Sequence, residues 1–124
     1  MSKTIAAVLA VGVLAASGTA AAAGWRTVGS SNDSNSFLAD AEVHQGTVRH
    51  VHALRVIVHA SQRAKVSGYV MCLRGLDEAD RNFAYHTYGG VHALPVPIKG
   101  GSCSVLVDAE LRNGGSVRVT LQAR

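Results

Sequence analysis

The sequence predicts an all-β fold: a single small antiparallel β-sandwich of about seven strands with one disulfide. Valine and other β-branched residues recur with a period of two, and glycine-rich or polar turns interrupt these runs at short intervals. About seven short strands in roughly 100 residues are typical of a sandwich. The chain has two cysteines, Cys72 and Cys103, and an even pair in a small exported domain is typical of a disulfide.

Export is predicted by residues 1–23. Lys3 precedes an unbroken apolar run over residues 5–16, and the alanines at 20–23 offer Ala-x-Ala cleavage sites before Gly24. This layout is typical of a secretory signal peptide, and the run is too short for a resident membrane helix. We therefore expect residues 24–124 to form one secreted, extracellular, monomeric domain with no membrane span.

The elements follow in order from these patterns. Residues 25–28 predict a short first strand, and the small polar run 29–36 (GSSNDSNS) predicts a flexible loop. Residues 37–44 fit either a strand or a short helical turn; we favour the strand, which ends at a turn at residues 45–46. Residues 75–82 (GLDEADRN) predict a charged connection with one helical turn, and residues 83–88 (FAYHTY) predict a strand. Pro95 and Pro97 place residues 94–98 on a sheet edge, because proline cannot donate to a ladder.

Two hairpins are predicted from matching apolar faces. Residues 54–60 and 64–72 are joined by three residues, and pairing Ala60 with Ala64 aligns their apolar sides. Residues 103–111 and 117–123 align in the same way across a three-residue Asn-Gly-Gly loop, which requires a left-handed glycine at Gly115. This second register also predicts an ion pair between Glu110 and Arg118.

A metal site is the sharpest chemical hypothesis. His50 and His52 are separated by one residue, so on an extended strand both imidazoles would face the same way. Zinc or copper suits imidazole ligands, and a third ligand could come from His44, His86 or His92, or from a nearby carboxylate. The alternative is a pair of ordinary solvated histidines. The first hairpin register would place His52 opposite Cys72.

A recognition surface is the second hypothesis. Aromatic and apolar side chains on a sheet face serve interfaces, and the outer side of the first predicted hairpin is rich in them. The alternative is that they fill a second core layer. The candidate interface residues are Ile57, Tyr69, Met71, Tyr85 and Tyr88.

Other function classes find little support. The formal net charge is +4, but the basic residues are scattered without interleaved aromatics, which argues against nucleic-acid binding. Glycine motifs of the nucleophile-elbow type are missing, and only Glu42, Asp108 or Glu110 could supply paired carboxylates. We therefore expect an exported non-catalytic binding or structural module with no cofactor, whose partner is an extracellular protein or cell-wall polymer. Alternatives are a small zinc- or copper-binding protein, or an inhibitor that contacts a secreted enzyme through residues 29–36.

Several segments within residues 54–124 resemble a known class of small domains. A strand that ends in VMC, followed by LPVPI, CSVLVDAEL and a GGSVRVTLQAR segment, resembles small exported bacterial two-cysteine β-domains of unknown function. The resemblance implies a two-cysteine β-domain and no activity.

Overall fold

The computed structural model describes residues 24–124, so the predicted signal peptide lies outside the described residues. Eight strands account for most of this part of the chain. They are β1 (Arg26–Asn35), β2 (Ala39–Val51), β3 (Leu54–Ala60), β4 (Ala64–Arg74), β5 (Asp77–Thr87), β6 (Gly90–Val96), β7 (Gly101–Leu111) and β8 (Gly115–Ala123).

The strands form two four-stranded antiparallel sheets, which confirms the predicted sandwich. The order in the first sheet is β1-β8-β3-β6, and the order in the second sheet is β2-β7-β4-β5. Between residues 24 and 124, no helix has the length and apolar character needed to cross a membrane.

The core lies between the sheets and is built from the alternate positions that the sequence indicated. On β3 and β8 the side chains of Val56, Val58 and Val119 are fully buried, and on β4 and β7 Val66 and Val107 are equally inaccessible. Burying one such side chain contributes about 1.5–3 kcal/mol, so this valine-rich layer is the main stabilising feature of the fold.

Both predicted hairpins are wrong as strand pairings. β3 pairs with β6 and β8, while β4 pairs with β5 and β7, so the three-residue link crosses from one sheet to the other. The link between β7 and β8 crosses in the same way. The period-two pattern correctly identified the apolar faces, but those faces meet across the core instead of lying side by side. The period-two spacing determines which side chains of a strand face the core, but it does not determine which strand is its hydrogen-bonded neighbour.

The predicted Glu110–Arg118 pair is wrong for the same reason. Glu110 on β7 lies beside Lys65 in the second sheet, whereas Arg118 on β8 lies beside His59 in the first. The turn between these strands does use glycine, because Gly114 and Gly115 have φ values of 78° and 121°. The Gly114 amide donates to the carbonyl of Leu111.

Two segments predicted as connections are strands. Residues 29–35 continue β1, which pairs with β8 along its whole length after an irregularity between Thr27 and Gly29. Residues 77–82 form the first half of β5, which pairs with β4 across a two-residue turn at residues 75–76. Both β1 and β5 are edge strands, where polar and charged side chains are common because they discourage pairing with another chain. The turn expected at residues 45–46 is an irregularity within β2.

The remaining predictions for individual elements are confirmed. The strands predicted over residues 37–44 and 83–88 correspond to parts of β2 and β5, and the proline-containing β6 is an edge strand. Cys72 and Cys103 form the predicted disulfide and face each other directly on β4 and β7. This link lies within the second sheet, and for its sequence separation of 31 residues the chain-entropy model gives about 3–4 kcal/mol of stabilisation.

Candidate functional site

The structure distributes the predicted interface residues over several surfaces. Tyr69 and Met71 lie together on the outer face of the second sheet, at alternate positions of β4. Ile57 lies on the outer face of the first sheet. Tyr85 is partly buried against the core and donates its hydroxyl to the carbonyl of Pro95 at 2.6 Å. Tyr88 is 74% exposed in the connection between β5 and β6. Only Tyr69 and Met71 therefore share a face.

The two candidate metal ligands lie at an irregular end of β2. His50 adopts φ = 56°, the left-handed region, and His52 follows the last residue of the strand, so the extended geometry assumed for them does not hold. Both side chains are exposed. Among residues 24–124, no three His, Cys, Asp or Glu side chains group closely enough to hold a metal ion. The residues opposite Cys72 are Cys103 on β7 and Ala79 on β5, so the predicted placement of His52 opposite Cys72 is wrong. The metal hypothesis itself stays a prediction.

A groove of about 560 Å³ runs over the outer face of β5, β4 and β7. We call it the Tyr69 groove. Tyr69 lies on the middle strand of the three, between Asn82 on β5 and Leu106 on β7. One pleat further along, Ser67 lies beside Asp108. Because residues two apart share a face, three neighbouring strands each contribute side chains to one surface. The side chains that line the groove are Lys65, Ser67, Tyr69, Asn82, Phe83, Ala84, Leu106 and Asp108.

Tyr69 is held in place at its hydroxyl. The hydroxyl donates to Asp80 Oδ2 at 2.8 Å, and 38% of the residue remains exposed. This hydrogen bond, which favours the protonated phenol beside a carboxylate, raises the pKa of Tyr69 above its ordinary value. The phenol is therefore a fixed neutral group with an accessible aromatic ring.

Gly68 allows the sheet beneath Tyr69 to pack closely. A Cβ atom at this position would lie 2.4 Å from Phe83 Cζ and 2.4 Å from the carbonyl oxygen of Leu106. Phe83 itself is only 8% exposed. The ring of Phe83 thus occupies the space that a side chain at position 68 would need, and it supports the groove from the core side.

Asp108 is the electrostatically unusual residue of the groove. Partial burial, a hydrogen bond with Asp40 and the nearby charges of Glu42 and Glu110 raise the pKa of Asp108 from 3.8 to about 7. All these causes disfavour a negative charge at this position. Near neutral pH the Asp108 carboxyl therefore exists in both protonation states and can donate or accept a hydrogen bond.

A second, larger opening of about 650 Å³ lies between β5 and the segment 97–100. Charged side chains of both signs line it, among them Arg74, Arg81, Lys99, Asp77 and Glu78. The lining includes no aromatic residue. This opening therefore offers no flat apolar surface comparable to the ring of Tyr69.

Charge is divided unevenly between the sheets. Seven of the eight acidic residues lie on strands of the second sheet, and Asp33 on β1 is the only one on a strand of the first. The seven are Asp40 and Glu42 on β2, Asp77, Glu78 and Asp80 on β5, and Asp108 and Glu110 on β7.

A cluster centred on Trp25 was not foreseen from the sequence. The guanidinium carbon of Arg55 lies 4.2 Å from the centre of a Trp25 ring, and that of Arg124 lies 4.6 Å from it. Arg55 Nε also donates to Gln122 Oε1 at 2.8 Å. The three residues come from distant parts of the chain and meet because β1 and β3 both pair with β8, so no local pattern could have indicated them.

Comparison with known proteins shows a likeness to a solved structure. No family model matches the chain, and no curated protein matches it. Among solved structures, the chain is similar to the carbohydrate-binding module TmCBM61, whose structure is a complex with beta-1,4-galactotriose. The TM-score is 0.51 at 16% sequence identity, and the match covers 82% of this chain and 90% of that chain. At this identity the likeness shows a shared fold.

Proposed function

We propose that the protein is an exported, non-catalytic carbohydrate-binding module that binds a sugar chain in the Tyr69 groove. The observation that carries the proposal is the accessible ring of Tyr69, surrounded on neighbouring strands by hydrogen-bonding side chains. The fold that the chain shares with a carbohydrate-binding module supports it.

The groove matches the two kinds of surface on a pyranose ring. One side of such a ring presents C–H groups, which pack against the apolar face of a tyrosine. Its hydroxyls require donors and acceptors, and Asn82, Ser67 and Lys65 supply an amide, a hydroxyl and an ammonium group. An apolar surface with a few well-placed polar groups is the usual composition of a small-molecule site.

The groove is also rigid before any ligand binds. Its side chains stand on three hydrogen-bonded strands, and the Cys72–Cys103 disulfide joins two of them close to Tyr69. The bond from Tyr69 to Asp80 fixes the ring further. Rigid sites lose less conformational entropy on binding, so a shallow groove can still bind with useful affinity.

The carboxylates beside the groove favour binding over hydrolysis. The Asp108 carboxyl is hydrogen-bonded to Asp40, and this contact is one of the causes that raise the pKa of Asp108. Glycosidases hold their two carboxyl groups apart, at about 5–5.5 Å in retaining enzymes and more in inverting ones. The Asp108–Asp40 pair is too close for either arrangement, which supports a non-catalytic role.

Calorimetric titration with β-linked oligosaccharides tests the proposal, and beta-1,4-galactotriose is the first probe because the similar module was solved with it. We expect saturable binding that weakens at least tenfold in Tyr69→Ala and in Asn82→Ala. Tyr88→Ala is the matched control, because Tyr88 is also exposed but lies outside the groove. Absence of binding to every oligosaccharide, or equal affinity of Tyr69→Ala and wild type, would overturn the proposal.

Export is part of the same proposal. A disulfide between Cys72 and Cys103 is compatible with an oxidising compartment outside the cytoplasm. N-terminal sequencing of the secreted protein tests the predicted signal peptide, with Gly24 as the expected first residue. A mature chain that retains residues 1–23 would contradict it.

The zinc or copper hypothesis is a separate prediction with its own test. Stoichiometric metal in the purified protein that is lost in a His50→Ala/His52→Ala variant would support it. A dissociation constant for zinc and copper above the micromolar range would refute it.

A further inference from the structure

The outer face of the first sheet carries positive charge without acidic side chains. Arg55 on β3 and Arg118 on β8 point away from the core there. Asp33, the single acidic residue of this sheet, pairs with buried Val117 and so occupies an inward-facing position. One of its carboxylate oxygens accepts a hydrogen bond from the Asp40 amide at 2.8 Å. Asp33 is therefore directed away from this outer face.

The positive charge is concentrated around Trp25. Arg55 and Arg124 both stack on the indole, at 4.2 and 4.6 Å from a ring centre. Desolvation and the like charge of Arg124 lower the pKa of Arg55. Gln122 is only 3% exposed although its position on β8 points outward, which indicates that this cluster covers it. Two guanidinium groups are thus held close together on one aromatic surface.

A depression of about 360 Å³ adjoins this cluster. Trp25 and Arg55 line one part of it, and Leu94, Pro95 and Ile98 provide apolar surface. The volume exceeds that of a simple inorganic anion, since a water molecule takes up about 30 Å³ of the liquid. The depression therefore suits a ligand that combines an anionic group with an apolar face.

We propose that the depression beside Trp25 binds a carboxylate-bearing sugar residue, with the guanidinium of Arg55 contacting the carboxylate and the apolar side chains of Leu94 and Pro95 packing against the ring. The planar fork of an arginine matches the geometry of a carboxylate and binds it through paired hydrogen bonds. The bond from Arg55 Nε to Gln122 Oε1 orients the guanidinium, and Arg55 is one of the residues that line the depression. This site lies on the opposite sheet from the Tyr69 groove and does not depend on it.

Fluorescence titration with an oligogalacturonate tests the proposal directly, because Trp25 is the only tryptophan of the chain. We expect a saturable change in emission that weakens as salt concentration rises. Neutral beta-1,4-galactotriose should leave the emission unchanged. Arg55→Gln should weaken binding of the uronate at least tenfold. Arg118→Gln, which removes the same charge from the same face away from Trp25, should change it less than twofold.

Three results would overturn the proposal. Equal losses in Arg55→Gln and Arg118→Gln would show diffuse attraction to a basic face instead of a site. Acetate binding as tightly as the uronate would show a simple anion site without sugar recognition. No change in tryptophan emission in folded wild-type protein would exclude the depression itself. Tyr69→Ala should bind the uronate normally, so a failure of the Tyr69 groove and a failure of this site can be distinguished.

Discussion

Replacing Gly68 with alanine tests how the sheet beneath the Tyr69 groove is packed. The new methyl carbon would lie 2.4 Å from Phe83 Cζ and 2.4 Å from the Leu106 carbonyl oxygen. The ring can move only by giving up part of its burial, and the carbonyl belongs to the neighbouring strand β7. Overpacking of this kind costs about 1–3 kcal/mol.

The expected net effect of Gly68→Ala is a loss of about 1–2 kcal/mol in the free energy of unfolding. Alanine stabilises the protein by about 0.4–1 kcal/mol through the unfolded chain, which offsets part of the steric cost. A loss of this size lowers the melting temperature of a domain of about 100 residues by roughly 10 °C. Urea unfolding measures the free energy of unfolding, and a thermal unfolding scan measures the melting temperature.

Gly46→Ala is the matched control. A Cβ atom at Gly46 would have no neighbour within 4 Å, so the same chemical change should be neutral or slightly stabilising there. A double variant, Gly68→Ala/Phe83→Leu, should recover part of the loss if the ring is one source of the clash. If Gly68→Ala and Gly46→Ala unfold within 0.5 kcal/mol of each other, the packing argument is wrong.

Two further predictions concern covalent and electrostatic contributions. The Cys72→Ala/Cys103→Ala variant should unfold at a free energy about 3–4 kcal/mol lower than wild type, and reductant should lower the melting temperature of wild type but not of the variant. The pKa of Asp108 is raised from 3.8 to about 7, so between these pH values the folded state binds a proton at Asp108 that the unfolded state has released. Stability should therefore fall as pH rises from about 4 through about 7. Because the Asp108 carboxyl is only partly buried, solvent screening limits this effect to about 1 kcal/mol. Asp108→Asn should flatten the pH dependence, and an unchanged urea profile between pH 5 and 8 would contradict the assignment.

The sequence was sufficient to identify most of the inward-facing residues. Val56, Val58 and Val119 were placed on apolar faces by their period alone, and all three are fully buried. Strand partners were not recoverable in this way. In a sandwich, two strands can bury their apolar faces either by packing against each other across the core or by lying side by side in one sheet. The alternation of apolar and polar residues along each strand is the same in both cases.

Edge strands were the second source of error. Residues 29–35 and 77–82 contain serine, asparagine and charged side chains, a composition that is also typical of loops. In the structure they pair on one side only, so their backbone is hydrogen-bonded while most of their side chains remain in water. Composition reports the contact of side chains with solvent and says little about backbone pairing at an edge.

The candidate site was predictable in part. Tyr69 was singled out because it lies on the second apolar side of β4, but its neighbours Asn82 and Asp108 come from other strands that the predicted register did not bring there. Prediction of the cluster of Trp25 and Arg55 required the correct pairing of both β1 and β3 with β8. Sites assembled from side chains on three or more strands depend on sheet order, which single-sequence periodicity does not contain.

The topology also explains how a chain with a modest net charge of +4 can present two different electrostatic surfaces. Most consecutive strands alternate between the sheets, so acidic residues on β2, β5 and β7 collect on one side although they are dispersed in the sequence. Packed sheets lie about 10 Å apart, which is close to the Debye length at 0.1 M salt. A ligand at one outer face therefore experiences mainly the charges of that face. The second sheet should disfavour anionic sugars in the Tyr69 groove, while the acid-free outer face of the first sheet attracts them to Arg55.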